Sequence, residues 1–305
     1  MKNSKNKKMT PNPLLKKLGY SNDDRLVIIH TDDIGMCHAS VQAFKDLWQF
    51  GTITSGAVMV PCPWFSAVAQ MCRENPRMDM GVHATLNAEW DVYRWSPLST
   101  RDQASGLLDA DGYFHQWHQA VYDNAKVESV NIEVNAQIER ALAAGINVTH
   151  VDSHMGTIMN PLYIQSYIQA AASRQLPNML PRTNAKGIEM LGVHEDELRT
   201  YESIMYQLES MGVPMLEGII AMPLEHNHDH LGLAKKLLSE VPVGITHFIL
   251  HPSIDTPELR AICSDWQARV ANYNAFMGDD LKKFIEHEDI KLIGYRQVRD
   301  AMRNG

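Results

Sequence analysis

Histidine and aspartate gather where the apolar runs of this 305-residue chain end. The run 25–30 (RLVIIH) leads into Thr31-Asp32-Asp33. Side chains alternate along a strand, so two adjacent carboxylates point in different directions. One can bind a metal while the other faces a reacting group, and an ionised carboxylate beside a dication is what a general base requires. The same pair also reads as a helix N-cap, because Asp is favoured there and a helical pattern follows. His150-Val151-Asp152-Ser153-His154 places His150, Asp152 and His154 on one face if the strand continues. One imidazole can ligate while Asp152 fixes a neighbouring ring by accepting its other N–H. A set of hydrogen-bonded interior groups is the alternative. His83, within the 81–86 run GVHATL, would alone pass for a satisfied core residue. His247 and His251 lie on one face of their run, and Pro252 ends it, which leaves His251 at the rim. A rim histidine with an ordinary pKa of about 6.5 can give a proton to a leaving group. His226, His228 and His230 alternate with Asn227 and Asp229 like a metal-binding tract. Their place between Pro223 and a helix start reads equally as an exposed loop.

These groups are far apart in the chain, so only the fold can assemble them. Compact apolar runs at 25–30, 54–60, 78–86, 147–151, 178–180, 217–221, 246–250 and 290–293 read as strands. Between them, amphipathic spacing predicts helices over 38–50, 128–144, 162–173, 195–211, 230–238, 257–277, 280–286 and 298–303. Gly51 and Gly145 stand as stop signals after the first two. A repeated strand-then-helix order argues for a mostly parallel sheet with helices outside. At this length a distorted or incomplete (β/α) barrel is favoured over a doubly wound open sheet. Catalytic groups of such barrels collect at the carboxyl ends of the strands, where these His and Asp residues fall. With no repeat or linker in sight, residues 23–305 read as one domain behind an N-terminal tail, 1–22. The segment at about 87–127 reads as a loop insertion with a small hairpin, carrying Trp90, Tyr93, Trp95 and Tyr113. Those aromatics either wall a binding site or pack the loop down.

Composition narrows the function classes. Lys and Arg total 28 against 36 Asp and Glu, a formal net charge of −8, which gives no electrostatic footprint for nucleic acid. The basic cluster Lys2, Lys5, Lys7 and Lys8 reads as a solvated terminus. Cys37, Cys62, Cys72 and Cys263 form no C-x-x-C pair, so neither a zinc ribbon nor a redox dithiol is expected. Scattered thiols, no signal-like apolar segment and no spanning run lead to the expectation of a cytoplasmic protein without a membrane partner. The sequence has no G-x-S-x-G, G-x-G-x-x-G, Walker loop or H-E-x-x-H, which weakens serine hydrolase, dinucleotide, P-loop and zincin readings.

Taken together, Thr31-Asp32-Asp33-Ile34-Gly35, the 51–55 run GTITS, the 81–86 run GVHATL, the 149–154 run THVDSH and His251-Pro252 resemble the YdjC-type carbohydrate deacetylases, which include the chitooligosaccharide deacetylases. The motifs occur in the family's order. The resemblance implies a distorted (β/α) barrel that binds one divalent ion, magnesium or zinc foremost, and removes N-acetyl groups from a small sugar or oligosaccharide. By motif, Asp33, His83 and His154 look like the metal ligands, Asp32 like the general base and His251 like the general acid. Asp152 and His150 would support the ligands. Within the same picture Arg182 could contact substrate or oxyanion, or form a surface ion pair, and Trp90, Tyr93 and Trp95 could stack on sugar rings. The expected partner is an N-acetylated sugar, and a homo-oligomer is compatible with the sequence. Ile34 stands where the family usually has Phe, and His251-Pro252-Ser253 where it commonly has His-Pro-Gly; both bear on the shape of the sugar pocket. The rival readings are a metal-dependent phosphoesterase or lyase on the same barrel, or a non-catalytic sugar-binding protein.

Overall fold

A computed structural model describes residues 11–186, 198–225 and 229–304. Its strands are β1 (Arg25–Ile34), β2 (Ser55–Val58), β3 (Met80–Ala84), β4 (Val151–Ser153), β5 (Pro181–Lys186), β6 (Leu216–Ala221), β7 (Gly244–Leu250) and β8 (Lys291–Leu292). They pair in parallel in the order β4-β3-β2-β1-β7-β6-β5, and β8 lies beside β1. A parallel bridge between Val151 and Asn178, just ahead of β5, links the two ends of this order. The result is a distorted (β/α) barrel with helices around it, as the strand–helix alternation predicts.

β1 is the axis of the sheet. It is buried from Leu26 to Ile34. Residues Arg25 to Thr31 run in register with Gly244 to Leu250 of β7, while its other flank meets β8 first and β2 afterwards. Between Thr31 and Ile34 the register against β2 shifts. Asp32 and Asp33 occupy that irregularity, and Asp33 takes a left-handed φ of 59°. Strict alternation therefore fails here, and both carboxylates turn toward the same end of the barrel. The sequence expectation that they diverge is corrected by this local break.

The helix predicted over 38–50 is His38–Phe50, closed by Gly51 at a φ of 88°. Besides small end shifts and an unexpected helix, Phe65–Glu74, three elements depart from expectation. The fourth strand is Val151–Ser153 and not 147–151, so His150 precedes it and Asp152 lies inside it. The fifth strand is Pro181–Lys186, and the run 178–180 supplies the bridge to β4 instead. Pro181 can open this strand because it is the first residue and, among the named strands, β5 pairs with β6 alone. The long helix read over 257–277 divides into Pro257–Ile262 and Trp266–Phe276, with Cys263 extended between them.

Two further segments are packed more firmly than the sequence suggests. From Asn12 onward the amino-terminal stretch is docked: Asn12 donates to the Met215 carbonyl at 2.8 Å, and Leu14 and Leu15 of the helix Pro13–Lys17 are buried. The lysine cluster at Lys2–Lys8 lies outside the described residues. The insertion contains the expected hairpin, with Leu108 bridged antiparallel to Phe114, and the helix His118–Asn124. Glu133, fully buried on the helix Val127–Ala143, ties it down by accepting from the Leu98 and Ser99 amides at 3.1 and 2.8 Å. Glu133→Ala strands both amides in a partly buried setting. Urea denaturation should show a loss of about 1–3 kcal/mol, and an unchanged midpoint would contradict this anchoring role.

Candidate active site

The carboxyl ends of β1 and β3 and the turn after β4 bring Asp33, His83 and His154 together. Asp33 Oδ1 lies 3.4 Å from His83 Nε2 and 3.1 Å from His154 Nδ1. One donor atom from each residue falls within 4.8 Å of the others, and all three residues are buried. His154 is aimed by a sharp turn, because Met155 and Gly156 after it both have positive φ.

Each of these side chains is held from behind. Arg269 Nη1 donates to Asp33 Oδ2 at 2.7 Å and is itself fixed by Asp265 at 2.9 Å. Asp152 Oδ1 sits 2.9 Å from His83 Nδ1, and Glu89 Oε2 sits 3.0 Å from His154 Nε2. The inward atoms remain for something else: Asp33 Oδ1 is buried without a hydrogen-bond partner among the described residues. A carboxylate oxygen and two imidazole nitrogens, each oriented by an outer partner, form a donor set that fits a divalent cation.

The electrostatics agree. Burial alone would raise the pKa of Asp33, but the Arg269 guanidinium together with His154 and His83 outweighs it and holds the carboxyl well below its usual range. Burial alone would lower His83, yet the carboxylates of Asp152 and Asp32 keep its pKa well above the ordinary value. His154 is pushed up to about 9, where Glu89 and Asp33 overcome the burial of the ring. A site that draws protons onto two buried imidazoles is a site short of positive charge.

Asp32 and His251 stand side by side at the gap. Asp32 Oδ2 lies 3.8 Å from His83 Nε2 and 3.9 Å from His251 Nε2. Although burial opposes it, the neighbouring His83 and His30 hold the Asp32 carboxyl well below the usual carboxylate value. His251 stands at the rim as predicted, and burial depresses its pKa despite the nearby Asp33 and Asp32.

The gap opens into a cleft of about 750 Å³ whose apolar lining includes Trp90, Trp117, Met155, Ile262 and Trp266. Trp90 is thus where the sequence led. Trp95 is not: it is 2% exposed, its indole N–H donates to the Asn87 carbonyl at 2.6 Å, and it backs the His154 ring edge-on. Tyr93 is bonded to the Met36 carbonyl, away from the cleft lining. Arg182 is also misplaced by the sequence reading. It is buried and paired with Glu217 at 2.9 Å and with Glu209, and it does not line the cleft. His150 supports no ligand directly; its Nε2 meets His30 Nε2 at 2.9 Å inside the barrel. Of the alternating histidine tract, His226 and His228 lie outside the described residues. His230 is buried at a helix start, facing Asn272 and the Glu225 carbonyl at 3.4 and 3.3 Å. Glu89, Arg269, Asp265, Trp117 and Trp266 were not singled out in the sequence. The only signal for the arginine was the four-residue spacing Asp265–Arg269, which is common on helices.

A distorted parallel barrel with carboxylates and imidazoles at its mouth defines the general class. Within that class the chain belongs to the YdjC-like family, whose model matches residues 26–287. It is 31% identical over 289 residues to a carbohydrate deacetylase of Thermus thermophilus, covering 95% of this chain and 99% of that one. A carbohydrate deacetylase 1 of Listeria innocua is 30% identical over 278 residues, covering 89% and 99% of the two chains. Among solved structures, one from Enterococcus faecalis V583, provisionally assigned to cellobiose-phosphate cleavage, superposes with a TM-score of 0.71 at 22% identity, covering 90% of this chain and 99% of that chain.

Because a dication must displace protons from His83 and His154, its apparent affinity should rise with pH until His154 deprotonates unaided at about 9. Calorimetry with zinc or manganese should show affinity growing about tenfold or more per pH unit between about pH 6 and 8, with proton release to the buffer. Affinity flat across that range would contradict the protonated resting pair.

Proposed function

We propose that this protein is a divalent-cation-dependent hydrolase that removes N-acetyl groups from a small sugar or oligosaccharide, giving acetate and an amino sugar. One observation carries the reading: the braced imidazoles of His83 and His154 converge on Asp33 Oδ1, beside Asp32 and His251, where an aromatic cleft opens. The names of the deacetylase relatives support the reaction class.

A cation held by Asp33, His83 and His154 supplies Lewis-acid polarisation of the acetamide carbonyl and makes water easier to deprotonate. The chain's own groups do the proton work. Asp32 is anchored through Oδ1 to His30 and turns Oδ2 into the gap, where it takes a proton from the attacking water. As the new C–O bond forms and the C–N bond breaks, His251 delivers a proton to the leaving nitrogen. Its depressed pKa makes the ring neutral at rest, so the proton it delivers is the one Asp32 took from the water, passed on from Oδ2, which lies 3.9 Å from His251 Nε2. Trp90, Trp117 and Trp266 give the cleft flat apolar surfaces of the kind that pack on sugar rings.

The phosphoesterase alternative is less well served. The cleft arginines are both engaged by carboxylates, Arg269 by Asp33 and Asp265 and Arg260 by Asp255 at 2.7 and 2.6 Å. A cytoplasmic address is part of the proposal. The four cysteines are free and buried, which suits a reducing compartment, and no helix among the described residues is long and apolar enough to cross a membrane.

The direct test is acetate release from a panel of N-acetylated mono- and oligosaccharides. Chelation should abolish release and one or more of zinc, manganese, cobalt, nickel or magnesium should restore it; release indifferent to chelation would overturn the cation dependence. Asp32→Asn should lower kcat by about a hundredfold to ten-thousandfold while leaving cation stoichiometry unchanged. Retention of most activity would remove Asp32 from the role of base.

A further inference from the structure

Beneath the mouth, five buried residues are joined in a line through the barrel interior. Asp32 Oδ1 lies 2.8 Å from His30 Nδ1, and His30 Nε2 lies 2.9 Å from His150 Nε2. His150 Nδ1 lies 3.0 Å from Thr149 Oγ1, which lies 2.6 Å from Asp79 Oδ1. None of the five is more than 7% exposed. Asp79 stands just ahead of β3, at the end of the barrel opposite the mouth. There it also accepts from Ser55 Oγ at 2.9 Å and from the Arg296 amide at 2.7 Å.

The middle of the line is built around the His150 ring. Tyr295 stacks on one face at a centroid distance of 3.8 Å and an angle of 16°. On the Gly81 side there is no room for a side chain, since a Cβ there would come within 2.4 Å of the ring. The Tyr295 hydroxyl meets His247 Nδ1 at 2.8 Å, which fixes a third imidazole beside His30.

Counting protons shows how the line must be wired. Four consecutive hydrogen bonds need four protons. Thr149, His150 and His30 in their neutral forms bring three, and two ionised carboxylates bring none. With both ends ionised and the middle neutral, one link would set two lone pairs against each other. A fourth proton therefore belongs to the line. If it sits on Asp79, every donor points toward Asp32: the Asp79 hydroxyl to Thr149, Thr149 to His150 Nδ1, His150 Nε2–H to His30 Nε2, and His30 Nδ1–H to Asp32. If it sits on either imidazole, Thr149 donates to Asp79, both carboxylates stay ionised and His30 Nδ1–H again faces Asp32. Only if it sits on Asp32 does every donor point the other way, and the mouth carboxyl is then spent. His30 lies between Asp32 Oδ1 at 2.8 Å and Asp152 Oδ2 at 3.5 Å, so every arrangement that leaves Asp32 ionised presents it with the His30 Nδ1–H.

We propose that Asp79, Thr149, His150 and His30 are positioning residues for Asp32: a polar spine that keeps His30 Nδ1–H on the Asp32 carboxylate and holds that carboxylate turned into the cleft. This rests on Asp32 being the base of the proposed hydrolysis. None of the four touches the reacting atoms; they act through Asp32.

The experiment has two arms, both on the full-length, cation-loaded protein. Long-range proton–nitrogen NMR, with His30 assigned by the signals lost in His30→Gln, reads the wiring without any substrate. The expected result is His30 protonated at Nδ1, the nitrogen that faces Asp32. His30 bare at Nδ1 would overturn the proposal. In the second arm Thr149→Val cuts the line without changing its shape, and Thr149→Ser restores the hydroxyl. Thr149→Val should lower kcat about tenfold or more, with KM and cation content within about twofold of wild type, and Thr149→Ser should recover most of the loss. If the wild type releases acetate and Thr149→Val matches it, the spine is wrong and the hydrolase reading stands. If the wild type releases no acetate from any sugar, the hydrolase reading fails, and the NMR arm alone decides the wiring.

Discussion

Four carboxyl groups, from Asp32, Asp33, Glu89 and Asp152, crowd the barrel mouth, and among the described residues Arg269 is the one permanent cation paired with them. Ionised carboxylates leave water only when positive charge or donors meet them. The protein meets part of this demand with Arg269 and the rest with imidazoles, which explains why His83 and His154 hold their protons so tightly. The same deficit makes the pocket receptive to a dication, which would satisfy all three inward atoms at once. Most other features of the site follow from this charge balance. The outer partners are acidic because they must raise the basicity of the inward nitrogens. Asp32 stays ionised because it shares these cations, and that is the state a base needs.

The fold delivers these groups through irregularity as much as through regular strands. A uniformly alternating β1 would send Asp32 and Asp33 to opposite faces. The register shift between Thr31 and Ile34, with the left-handed Asp33, brings both to the mouth. A break in a predicted helix has a comparable effect, because the turn at Cys263 starts the helix Trp266–Phe276 that carries Arg269 to Asp33. The insertion, anchored through Glu133, adds Trp90 and Trp117 to the cleft wall. Below the mouth, a polar line occupies space that parallel barrels usually fill with branched aliphatic side chains, and its bonding is complete only when its protons are correctly placed.

Much of this arrangement is legible in the chain itself. Strand–helix alternation gives the barrel, and the polar residues at strand ends give Asp33, His83, His154, Asp32 and His251, which the structure does bring together. What escapes is whatever depends on reach across the fold. Arg269 finds Asp33 from 236 positions away, and nothing local distinguishes it from any other helical arginine. Arg182 and Trp95 have the right chemistry for a sugar site but face a buried acidic pair and a backbone carbonyl. His150 could be grouped with His154 by spacing, yet the strand begins only at Val151, and the ring turns inward to His30. Spacing identifies candidates; the direction of a side chain depends on the turn or bulge beneath it.

The account stands on a cation held between β1, β3 and β4, and anomalous diffraction from crystals loaded with zinc, recorded on both sides of the absorption edge, tests it most directly. The predicted result is a single strong peak within about 2.0–2.2 Å of Asp33 Oδ1, His83 Nε2 and His154 Nδ1, with Asp32 and His251 outside bonding distance. No peak there at saturating zinc, or a peak bound by other residues, would contradict the central claim.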